Sequence, residues 1–387
     1  MEKRTLGKTG EEVSILGFGC MRLPVLNPDD QTTIDTELAT AMVRKAIDCG
    51  VNYLDTGWPY HRSGGVDTPG VSEPFLGKAL RNGYRERVKI ATKLPTWLVE
   101  SRSQMDDILD QQMKRMEVKN IDFYLAHNLN KANWEKMKRL GMLPFLDEAI
   151  RDGRIRHAGF SFHDTYDVFE EVVGANDWSF CQLQFNYIDV DFQAGTRGLE
   201  LASRRNMGVI VMEPLRGGFL ANHLPEEATK MLADVHSDWT PAQWALRWLW
   251  SRSDVGMVLS GMSTMGQLEE NLETAEHFSP LAAEEEAALV KVREYILGQI
   301  KVNCTACGYC LPCPQGVNIP KAFQFYNTFF RFGDAASLFQ VRIGYKNMVP
   351  PEEQAYNCVS CGACDTQCPQ AISISKEMPK VAEALKL

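Results

Sequence analysis

The sequence predicts a (β/α)8 barrel, the TIM-barrel class of α/β fold, followed by a smaller helical domain. Eight short apolar runs alternate with helical patterns between residues 15 and 277, and these runs lack polar alternation. The composition then changes near Val302, where cysteines become frequent. At 387 residues the chain is long enough for one large and one small domain.

The apolar runs are the predicted strands: Ile15–Met21, Asn52–Thr56, Lys89–Leu94, Ile121–Ala126, Arg156–Ser161, Phe180–Asn186, Val209–Glu213 and Val255–Ser260. Runs without alternation are typical of parallel strands that are buried on both faces. Eight βα units over roughly 250 residues fit a TIM barrel better than an open doubly wound sheet. No Gly-x-Gly-x-x-Gly fingerprint opens a helix, which argues further against a Rossmann fold.

Helical periodicity fills the intervals between these strands: Glu37–Cys49, Ser72–Arg81, Ser101–Met116, Trp134–Arg151, Thr165–Val173, Gln193–Arg205, Pro241–Trp250 and Thr264–His277. A hairpin, Thr5–Gly10 with Val13–Ile15, is predicted before the barrel. An acidic helix, Ala282–Leu297, leads out of it. We therefore expect the barrel at 1–280, a helical connector at 281–300 and the small domain at 301–387.

Composition excludes several function classes. The net charge of −9 argues against a nucleic-acid binder, which would show a basic footprint. Met1–Thr5 has no apolar signal core, and no apolar stretch is long enough to span a bilayer. We expect a cytoplasmic protein, in which clustered cysteines more often bind metal than form disulfides. The scattered Cys20, Cys49 and Cys181 are expected to be small buried side chains.

Eight of the 11 cysteines form two runs near the C-terminus. The runs are Cys304-x2-Cys307-x2-Cys310-x2-Cys313-Pro314 and Cys358-x2-Cys361-x2-Cys364-x3-Cys368-Pro369. This spacing is typical of [4Fe-4S] ligands, because one turning loop supplies three thiolates and the cysteine before proline comes from elsewhere. Zinc is the alternative, although zinc sites usually show two separated cysteine pairs.

In two-cluster ferredoxins the fourth cysteine of each run ligates the other cluster. We therefore predict two clusters, one on Cys304, Cys307, Cys310 and Cys368, the other on Cys358, Cys361, Cys364 and Cys313. Phenylalanines at mostly helical spacing separate the runs: Phe323, Phe325, Phe329, Phe330, Phe332 and Phe339. They predict an α-helical ferredoxin-like domain, in which they pack in the core and shield the clusters. No internal repeat is evident beyond the βα alternation.

Polar residues stand at the ends of three consecutive predicted strands. Asp55 ends the second strand, Lys93 the third and His127 the fourth, and Tyr60 lies just beyond Asp55. Each residue alone is more often structural than catalytic. Together they are expected at one rim, because catalytic residues of TIM barrels lie at the C-terminal ends of strands.

These four residue types suit carbonyl reduction, which sends a hydride to carbon and a proton to oxygen. Tyrosine, with a pKa of about 10, is a poor acid at neutral pH. A nearby Lys93 ammonium is expected to lower the Tyr60 pKa by favouring the phenolate. Asp55 would hold Lys93, and His127 would orient the substrate oxygen.

The set Asp55, Tyr60, Lys93 and His127, in this order, resembles the catalytic tetrad of the aldo-keto reductases over roughly residues 3–280. Other matching motifs are Gly17-Phe18-Gly19-Cys20-Met21, Leu54-Asp55-Thr56, Ser72-Glu73-x-x-Leu76-Gly77, Gly159-Phe160-Ser161, Gln184-Phe185-Asn186-Tyr187, Gly261-Met262-Ser263 and Glu269-Glu270-Asn271. With its cysteine runs, the whole chain resembles the ferredoxin-fused branch of that family. The resemblance implies hydride transfer between NAD(P)H and a carbonyl or alcohol substrate, with clusters of electron-transfer or structural role.

The resemblance also implies a nicotinamide dinucleotide across the barrel mouth. Its expected contacts are Gly19, Cys20 and Met21 after the first strand, Asp55, Ser161 and Gln184 at the nicotinamide, Met212, Pro214 and Leu215 beside the ring and pyrophosphate, and Gly261, Ser263, Gln267, Glu270 and Asn271 at the adenosine end, where a helix N-terminus favours phosphate. The basic pair that many members use for a 2′-phosphate falls around Met262 and Gln267, and neither is basic. Because arginine is the natural phosphate fork, we expect NAD use or weak discrimination.

Two alternatives stay open beside this interpretation. The first is an electron-transfer redox protein whose clusters exchange electrons with a ferredoxin or flavoprotein partner. Nicotinamide moves two electrons as hydride whereas each cluster moves one, and no flavin fingerprint couples them. The second is a catalytically idle sensing barrel, against which the complete tetrad argues. Trp58, Trp97 and Trp134 follow strand ends, where they either line a substrate pocket or pack at the rim.

Overall fold

The structure is a computed structural model that describes residues 1–331 and 335–387. These residues form two compact units. The first comprises Met1–Leu215 and Ala242–Leu281, and the second comprises Arg216–Pro241 and Ala282–Leu387. The first unit contains a closed parallel barrel, which confirms the predicted fold class.

Twelve strands lie in the described residues: β1 (Lys3–Thr5), β2 (Glu12–Ser14), β3 (Leu16–Gly19), β4 (Val25–Asn27), β5 (Asp30–Ile34), β6 (Tyr53–Asp55), β7 (Lys89–Pro95), β8 (Ile121–Leu129), β9 (Ile155–Phe162), β10 (Phe180–Gln184), β11 (Gly208–Met212) and β12 (Met257–Gly261). The barrel order is β3-β6-β7-β8-β9-β10-β11-β12, and parallel pairing of β12 with β3 closes it. All eight predicted strands are present. β8 extends to Leu129, so His127 lies within a strand rather than at its end.

Fifteen α-helices lie in the described residues: α1 (Thr36–Asp48), α2 (Ser72–Ala79), α3 (Arg102–Met116), α4 (Lys131–Arg139), α5 (Met142–Arg151), α6 (Tyr166–Ala175), α7 (Gly195–Arg204), α8 (Phe219–Asn222), α9 (Glu226–Ala233), α10 (Pro241–Trp250), α11 (Met265–Glu276), α12 (Ala283–Leu297), α13 (Ile319–Arg331), α14 (Ala335–Met348) and α15 (Ile374–Ala384). The single predicted helix Trp134–Arg151 is wrong. It is divided into α4 and α5, because Gly141 adopts a φ of 79° that ends the first helix. No helix in these ranges is long and apolar enough to cross a membrane.

The barrel has an inner and an outer apolar layer. Inside it, the rings of Tyr53 and Phe180 each lie 5.1 Å from the ring of Phe123. The predicted hairpin is present as β1 and β2, and its Leu6 and Val13 belong to this inner layer. The outer layer lies between the strands and the helices. The hairpin therefore fills the barrel interior on the side from which the chain enters β3.

The scattered cysteines divide between core and surface. Cys20 and Cys181 are fully buried, as predicted. The prediction for Cys49 is wrong, because this residue follows the last turn of α1 and is exposed. A second hairpin, β4 paired with β5, had no counterpart among the predicted elements.

The second unit is helical and contains the cysteines. Asn327 on α13 binds the chain that enters the first run: its Oδ1 accepts from the N–H groups of Lys301 and Val302 at 3.1 and 2.9 Å. Phe323 is fully buried and Phe325 and Phe329 pack against the core, as expected. The prediction that Phe330 and Phe339 pack in the core is wrong, since both are exposed. Phe332 lies outside the described residues.

Candidate active site and cysteine pockets

Three neighbouring barrel strands bring the predicted catalytic residues together. Asp55 on β6 pairs with Ala91 on β7, and Pro95 on β7 pairs with His127 on β8. Parallel register therefore places Asp55, Lys93 and His127 at one end of the barrel, and the chain after β6 adds Tyr60. All four are buried, with exposed fractions of 3% for Asp55 and His127, 1% for Lys93 and 7% for Tyr60.

Lys93 is at the centre of this group. Its Nζ donates to Asp55 Oδ2 at 2.7 Å and to the carbonyl of Thr56 at 2.6 Å. The same Nζ lies 4.7 Å from the centroid of the Tyr60 ring. A buried ammonium is costly unless it is paired and hydrogen-bonded, and these contacts meet both conditions. The ammonium is thereby fixed over the tyrosine.

The expected lowering of the Tyr60 pKa is wrong. Burial raises that pKa well above 10, and the neighbouring acidic groups of Asp55, Cys20 and Glu213 raise it further. Loss of water around the phenolate is the largest cause of this rise. Burial also raises the pKa of Asp55, although Lys93 opposes the rise. Tyr60 consequently keeps its proton at neutral pH and is an acid in the resting protein.

His127 is held neutral. Burial lowers its pKa well below 6.5, and the neighbouring Lys93 and His163 lower it further. Its ring centroid lies 6.1 Å from that of Tyr60 and 5.0 Å from that of Trp97. A neutral imidazole can donate one hydrogen bond to a substrate oxygen.

The three tryptophans have different surroundings. Trp97 flanks His127 and so lines the candidate site. Trp134 is a core residue, fully buried, whose Nε1 donates to Glu171 at 2.8 Å. The Trp58 ring lies under the guanidinium of Arg115, whose Cζ is 5.6 Å from the ring centroid. Among the described residues, Trp97 is the only one of the three whose ring packs near a ring of the predicted catalytic residues, that of His127.

The predicted nicotinamide contacts lie on adjacent strands. Ser161 on β9 pairs with Gln182, and Gln184 on β10 pairs with Met212 on β11. Ser161 Oγ accepts from the N–H of Asn128 at 2.8 Å. The Gln184 Nε2 donates to Asp189 Oδ2 at 3.2 Å, which fixes the orientation of the amide.

Sequence reasoning missed the residues that hold the Gln184 amide in place. Asn186 Nδ2 donates to Asp189 Oδ2 at 3.0 Å and to the carbonyl of Glu213 at 3.1 Å. Asn186 thus connects Asp189, which orients Gln184, with Glu213, which directly precedes Pro214 and Leu215. The polar pair Asn186 and Asp189, two and five residues beyond Gln184, was the available signal.

The predicted adenosine contacts surround the start of α11. Gly261 pairs with Gly19 across β12 and β3, next to Cys20 and Met21. The Ser263 N–H donates to Gln267 Oε1 at 2.8 Å, and both residues are exposed. Glu270 is half-buried. Asn271 is buried and donates to Ser260 Oγ at 3.0 Å, so it supports the end of β12.

Arg22 is a basic residue at this position that sequence reasoning missed. Its side chain packs on Gly261, where an added Cβ would lie 3.3 Å from Arg22 Cβ. Ser263 Oγ donates to the Arg22 carbonyl at 2.8 Å. Arg22 comes directly after the predicted contacts Cys20 and Met21, which was the signal for it. Met262 is buried, so the side chain after Gly261 points into the core.

The second unit contains two pockets lined by cysteines. One is lined by Cys304, Cys307, Cys310 and Cys368, and the other is lined by Cys313, Cys358, Cys361 and Cys364. Ile319 and Ile374 line both, so one layer of side chains separates them. Four thiols around each pocket match the donor set of a [4Fe-4S] cluster. The last cysteine of each run lies in the pocket of the other run.

The two cysteine loops share one backbone conformation. Ala306 and Ser360 have φ values of 55° and 53°, and Gly308 and Gly362 have values of 77° and 76°. The N–H of Ala306 donates to Cys304 Sγ and that of Ser360 to Cys358 Sγ, both at 3.4 Å. The second unit is therefore built on an internal repeat, Cys-x-x-Cys-Gly-x-Cys, and the expectation of no further repeat is wrong.

Burial sets the acidity of the inner thiols. Burial raises the pKa of Cys310, and the nearby Cys307, Cys304 and Cys368 raise it further. Burial and then Asp365 raise the pKa of Cys364 to about 11. A bound metal reverses this preference, because thiolate is the form that coordinates.

The fold and these residues define a TIM-barrel oxidoreductase fused to an iron–sulfur domain. The chain belongs to the aldo/keto reductase family, whose family model matches residues 15–294, and residues 303–373 match a 4Fe-4S dicluster domain. The cysteine region is thus an iron–sulfur domain, as the sequence predicted.

Known proteins resemble the barrel portion of the chain. An L-galactose dehydrogenase of Arabidopsis thaliana is 25% identical over 306 residues, which cover 74% of this chain and 92% of that protein. The oxidoreductase YqkF of Bacillus subtilis (strain 168) is 24% identical over 71% of this chain and 91% of its own length. The aldo-keto reductase AKR11C1 of Bacillus halodurans, solved in a holo form, has a TM-score of 0.62 at 25% identity, covering 76% of this chain and 96% of that one.

Proposed function

We propose that the barrel catalyses hydride transfer between NAD(P)H and a small carbonyl or alcohol substrate. The observation that carries this proposal is the buried Lys93 ammonium, which contacts Asp55 and lies over the Tyr60 ring beside a neutral His127. This arrangement has a proton donor, a cation to stabilise the anion left behind and a hydrogen-bond donor for oxygen.

Each residue has a defined task in carbonyl reduction. A bound nicotinamide would supply the hydride to the carbonyl carbon. The C=O π electrons then move to oxygen, which takes the Tyr60 Oη proton and becomes the hydroxyl. Lys93 stabilises the resulting phenolate, Asp55 holds Lys93 by the 2.7 Å contact, and His127 donates to the substrate oxygen. In alcohol oxidation the same steps run backwards.

For the nucleotide we propose the contacts that the sequence predicted. Ser161 and the Asp189-oriented Gln184 would receive the nicotinamide end, with Met212, Pro214 and Leu215 beside it. Gly19, Cys20, Met21, Gly261, Ser263, Gln267, Glu270 and Asn271 would follow towards the adenosine end. Ser263 and Gln267 supply no cation there, so weak discrimination between NAD and NADP stays our expectation.

For the second unit we propose two [4Fe-4S] clusters, one in each cysteine pocket. The cross-over of Cys313 and Cys368 supports this ligand assignment, because each pocket then has four thiols. We keep 1–280, 281–300 and 301–387 as the domain boundaries. Because thiols must stay reduced for cluster assembly, we expect a cytoplasmic location.

The test is a screen of carbonyl and alcohol substrates with anaerobically reconstituted protein, followed by nicotinamide absorbance. Tyr60→Phe is expected to lower kcat by about 10²- to 10⁴-fold, the usual contribution of a positioned acid. Cys364→Ser, provided it folds, is expected to retain carbonyl reduction while it loses one cluster. Full activity of Tyr60→Phe would refute the proposal.

An electron-transfer protein is the second candidate function. Its supporting observation is the exposure of the second cysteine loop: Cys361 is exposed, and Val359 has 63% of its surface exposed. A cluster there would be open to a ferredoxin or flavoprotein partner. Bleaching of cluster absorbance by NADH, in protein that reduces no carbonyl, would favour this function over the first.

A further inference from the structure

A buried carboxylate that the proposed reaction does not use lies close to the catalytic group. Glu73, the second residue of α2, is fully buried. Its Oε1 accepts from Thr92 Oγ1 at 2.7 Å and from Gln112 Nε2 at 2.8 Å, and its Oε2 accepts from Arg115 Nε at 2.9 Å. A buried charge of this kind is costly, so the chain has enclosed it with three donors.

One arm of this network reaches the loop that carries Tyr60, residues 56–71. Arg115 Nη2 donates to the carbonyl of Gly70, close to the end of that loop. The Gly70 N–H donates to the Trp58 carbonyl at 2.7 Å, and the Arg115 guanidinium covers the Trp58 ring. Arg115, on α3, therefore holds together two residues that flank Tyr60.

Gly70 transmits this restraint to Tyr60 itself. A Cβ added at Gly70 would lie 1.8 Å from the Tyr60 carbonyl oxygen, so the two backbones are in direct contact. The Ser72 N–H also donates to that carbonyl at 3.2 Å. A shift of Gly70 cannot occur without a shift of the Tyr60 backbone.

The other arm reaches Lys93. Gln112 Nε2 donates to the Lys93 carbonyl at 3.0 Å as well as to Glu73. Thr92, which also binds Glu73, directly precedes Lys93 on β7. Tyr124 on β8 donates to Gln112 Oε1 at 2.8 Å. One carboxylate thus connects the backbone of the lysine with the loop of the tyrosine.

We propose that Glu73 and Arg115 are positioning residues, which set where the Tyr60 hydroxyl stands relative to the Lys93 ammonium. The proposal rests on the proposed function, because it assigns these residues a task in the same proton transfer. Tyr60 and Lys93 lie on different segments, and a displacement of about 1 Å in such a pair can cost about 10²-fold in rate.

A substitution can cut one arm and leave the other. In Glu73→Gln the amide oxygen still accepts from Thr92 and Gln112, but the NH2 group that replaces Oε2 cannot accept from Arg115. The link from Glu73 to Arg115 is lost, so Arg115 contacts the loop without its anchor, and the Lys93 arm is kept. Glu148→Gln is the matched control, since Glu148 pairs with Arg102, another arginine of α3, far along the helix from the Tyr60 loop.

The experiment compares the reconstituted full-length wild type with Glu73→Gln, Glu148→Gln and Tyr60→Phe, and with the Glu73→Gln/Tyr60→Phe double variant. We expect Glu73→Gln to lower kcat about 10- to 100-fold with the KM for nucleotide nearly unchanged, and Glu148→Gln to have no effect. In the Tyr60→Phe background, Glu73→Gln is expected to cost nothing further, because its effect acts through the lost hydroxyl.

Hydrogen exchange of residues 56–71 gives a second readout that needs no substrate. Glu73→Gln should speed exchange in this loop and leave β8 and β9 unchanged. If Glu73→Gln does not fold, Arg115→Lys replaces it, since lysine keeps the charge but loses the fork that reaches both Glu73 and Gly70.

Three results would overturn the positioning role: an unchanged kcat, unchanged loop exchange, or the same fold-loss with and without the Tyr60 hydroxyl. Failure of the proposed function is a different result. In that case Tyr60→Phe and the wild type would be equally active or equally inactive, whereas the exchange measurement would still report on the loop.

Discussion

The barrel site and the cysteine pockets hold their central side chains in opposite ways. In the barrel the buried charges of Asp55 and Lys93 satisfy one another, and Glu73 has three donors of its own. In the second unit eight thiols line two pockets, four around each. The barrel site is complete in protein atoms, whereas the cysteine pockets are shaped for a bound group.

The two units are therefore expected to differ in whether their folding depends on a bound group. A TIM barrel with a continuous core inside and outside its strands has the burial needed to fold by itself. In the second unit six of the eight cysteines pack in or against the core, so we expect cluster binding to contribute to its folding free energy.

Removal of iron should abolish the structure of one unit and spare the other. Metal binding can contribute about 10 kcal/mol or more to the folding of a small metal domain, which exceeds the stability of most such domains. We expect hydrogen-exchange protection of residues 301–387 to collapse after anaerobic chelation, while β6 to β9 keep theirs. Equal loss of protection in both units would contradict the contrast, and re-addition of iron and sulfide is the control.

Gly217→Ala should weaken the first cysteine pocket. Gly217 has a φ of 67°, and an added Cβ would lie 2.0 Å from the carbonyl oxygen of Thr305, between Cys304 and Cys307. Left-handed strain alone costs about 1–3 kcal/mol, and the clash adds to it. We expect loss of iron and visible absorbance from about one cluster per chain.

Gly298→Ala is the control for that substitution. Gly298 lies in the same unit with right-handed helical angles, and an added Cβ would approach its nearest atom at an ordinary 3.4 Å. It should keep full cluster content. Full cluster content in Gly217→Ala as well would show that the first loop does not need Gly217 in this position.

The pH dependence of carbonyl reduction should be flat across pH 6.5. Burial, Lys93 and His163 keep the pKa of His127 well below 6.5, and the pKa of Tyr60 lies well above 10, so both stay in their working forms. We expect kcat to change by less than about twofold between pH 6 and 8, and alcohol oxidation, which needs the phenolate, to rise with pH. A sigmoidal loss of reduction centred near pH 6.5 would contradict a neutral His127.

The same lowered pKa of His127 should make the stability of the barrel depend on pH, although its activity does not. Below pH 6.5 the unfolded chain protonates this histidine while the folded barrel does not. The barrel therefore loses stability as the pH falls through 6.5, and His127→Gln should reduce that loss. Chemical denaturation at pH 5.5 and 7.5 measures the difference.

Nucleotide preference should be the smallest effect. Met262 is buried and Gln267 is uncharged, so a 2′-phosphate gains no arginine fork from them. We expect the Kd values for NADH and NADPH to differ by less than tenfold, about 1.4 kcal/mol. A tenfold preference for NADPH would overturn this, and its loss in Arg22→Met would assign the phosphate contact to Arg22.

Much of the site could be predicted from sequence because its signals are local. The apolar runs that became β6, β7 and β8 place Asp55, Lys93 and His127 at one rim, since parallel strands of a barrel end together. Regular spacing likewise identified the cysteines that line each pocket. The lowered Tyr60 pKa was a wrong prediction, because it considered one neighbour and not the burial that the closed barrel imposes.

Other features depend on contacts between residues that are distant in sequence. Nothing in the sequence near Arg115 reveals that it closes the Tyr60 loop, because its partners Glu73 and Gly70 lie on other segments. The packing of Arg22 on Gly261, before α11, and of Gly217 on Thr305 likewise joins residues that are distant in sequence. So does the grouping of Arg216–Pro241 with the second unit, which interrupts the first unit between β11 and α10.

The sequence alone was enough to predict the candidate catalytic residue types, their positions at three consecutive strands, and eight thiols at cluster spacing. These follow from periodicity and spacing, which local backbone geometry imposes. The protonation states of Tyr60 and His127 and the hydrogen-bond network around Glu73 depend on the folded structure. Burial and cross-segment hydrogen bonds set those properties, and both exist only once distant parts of the chain have packed together.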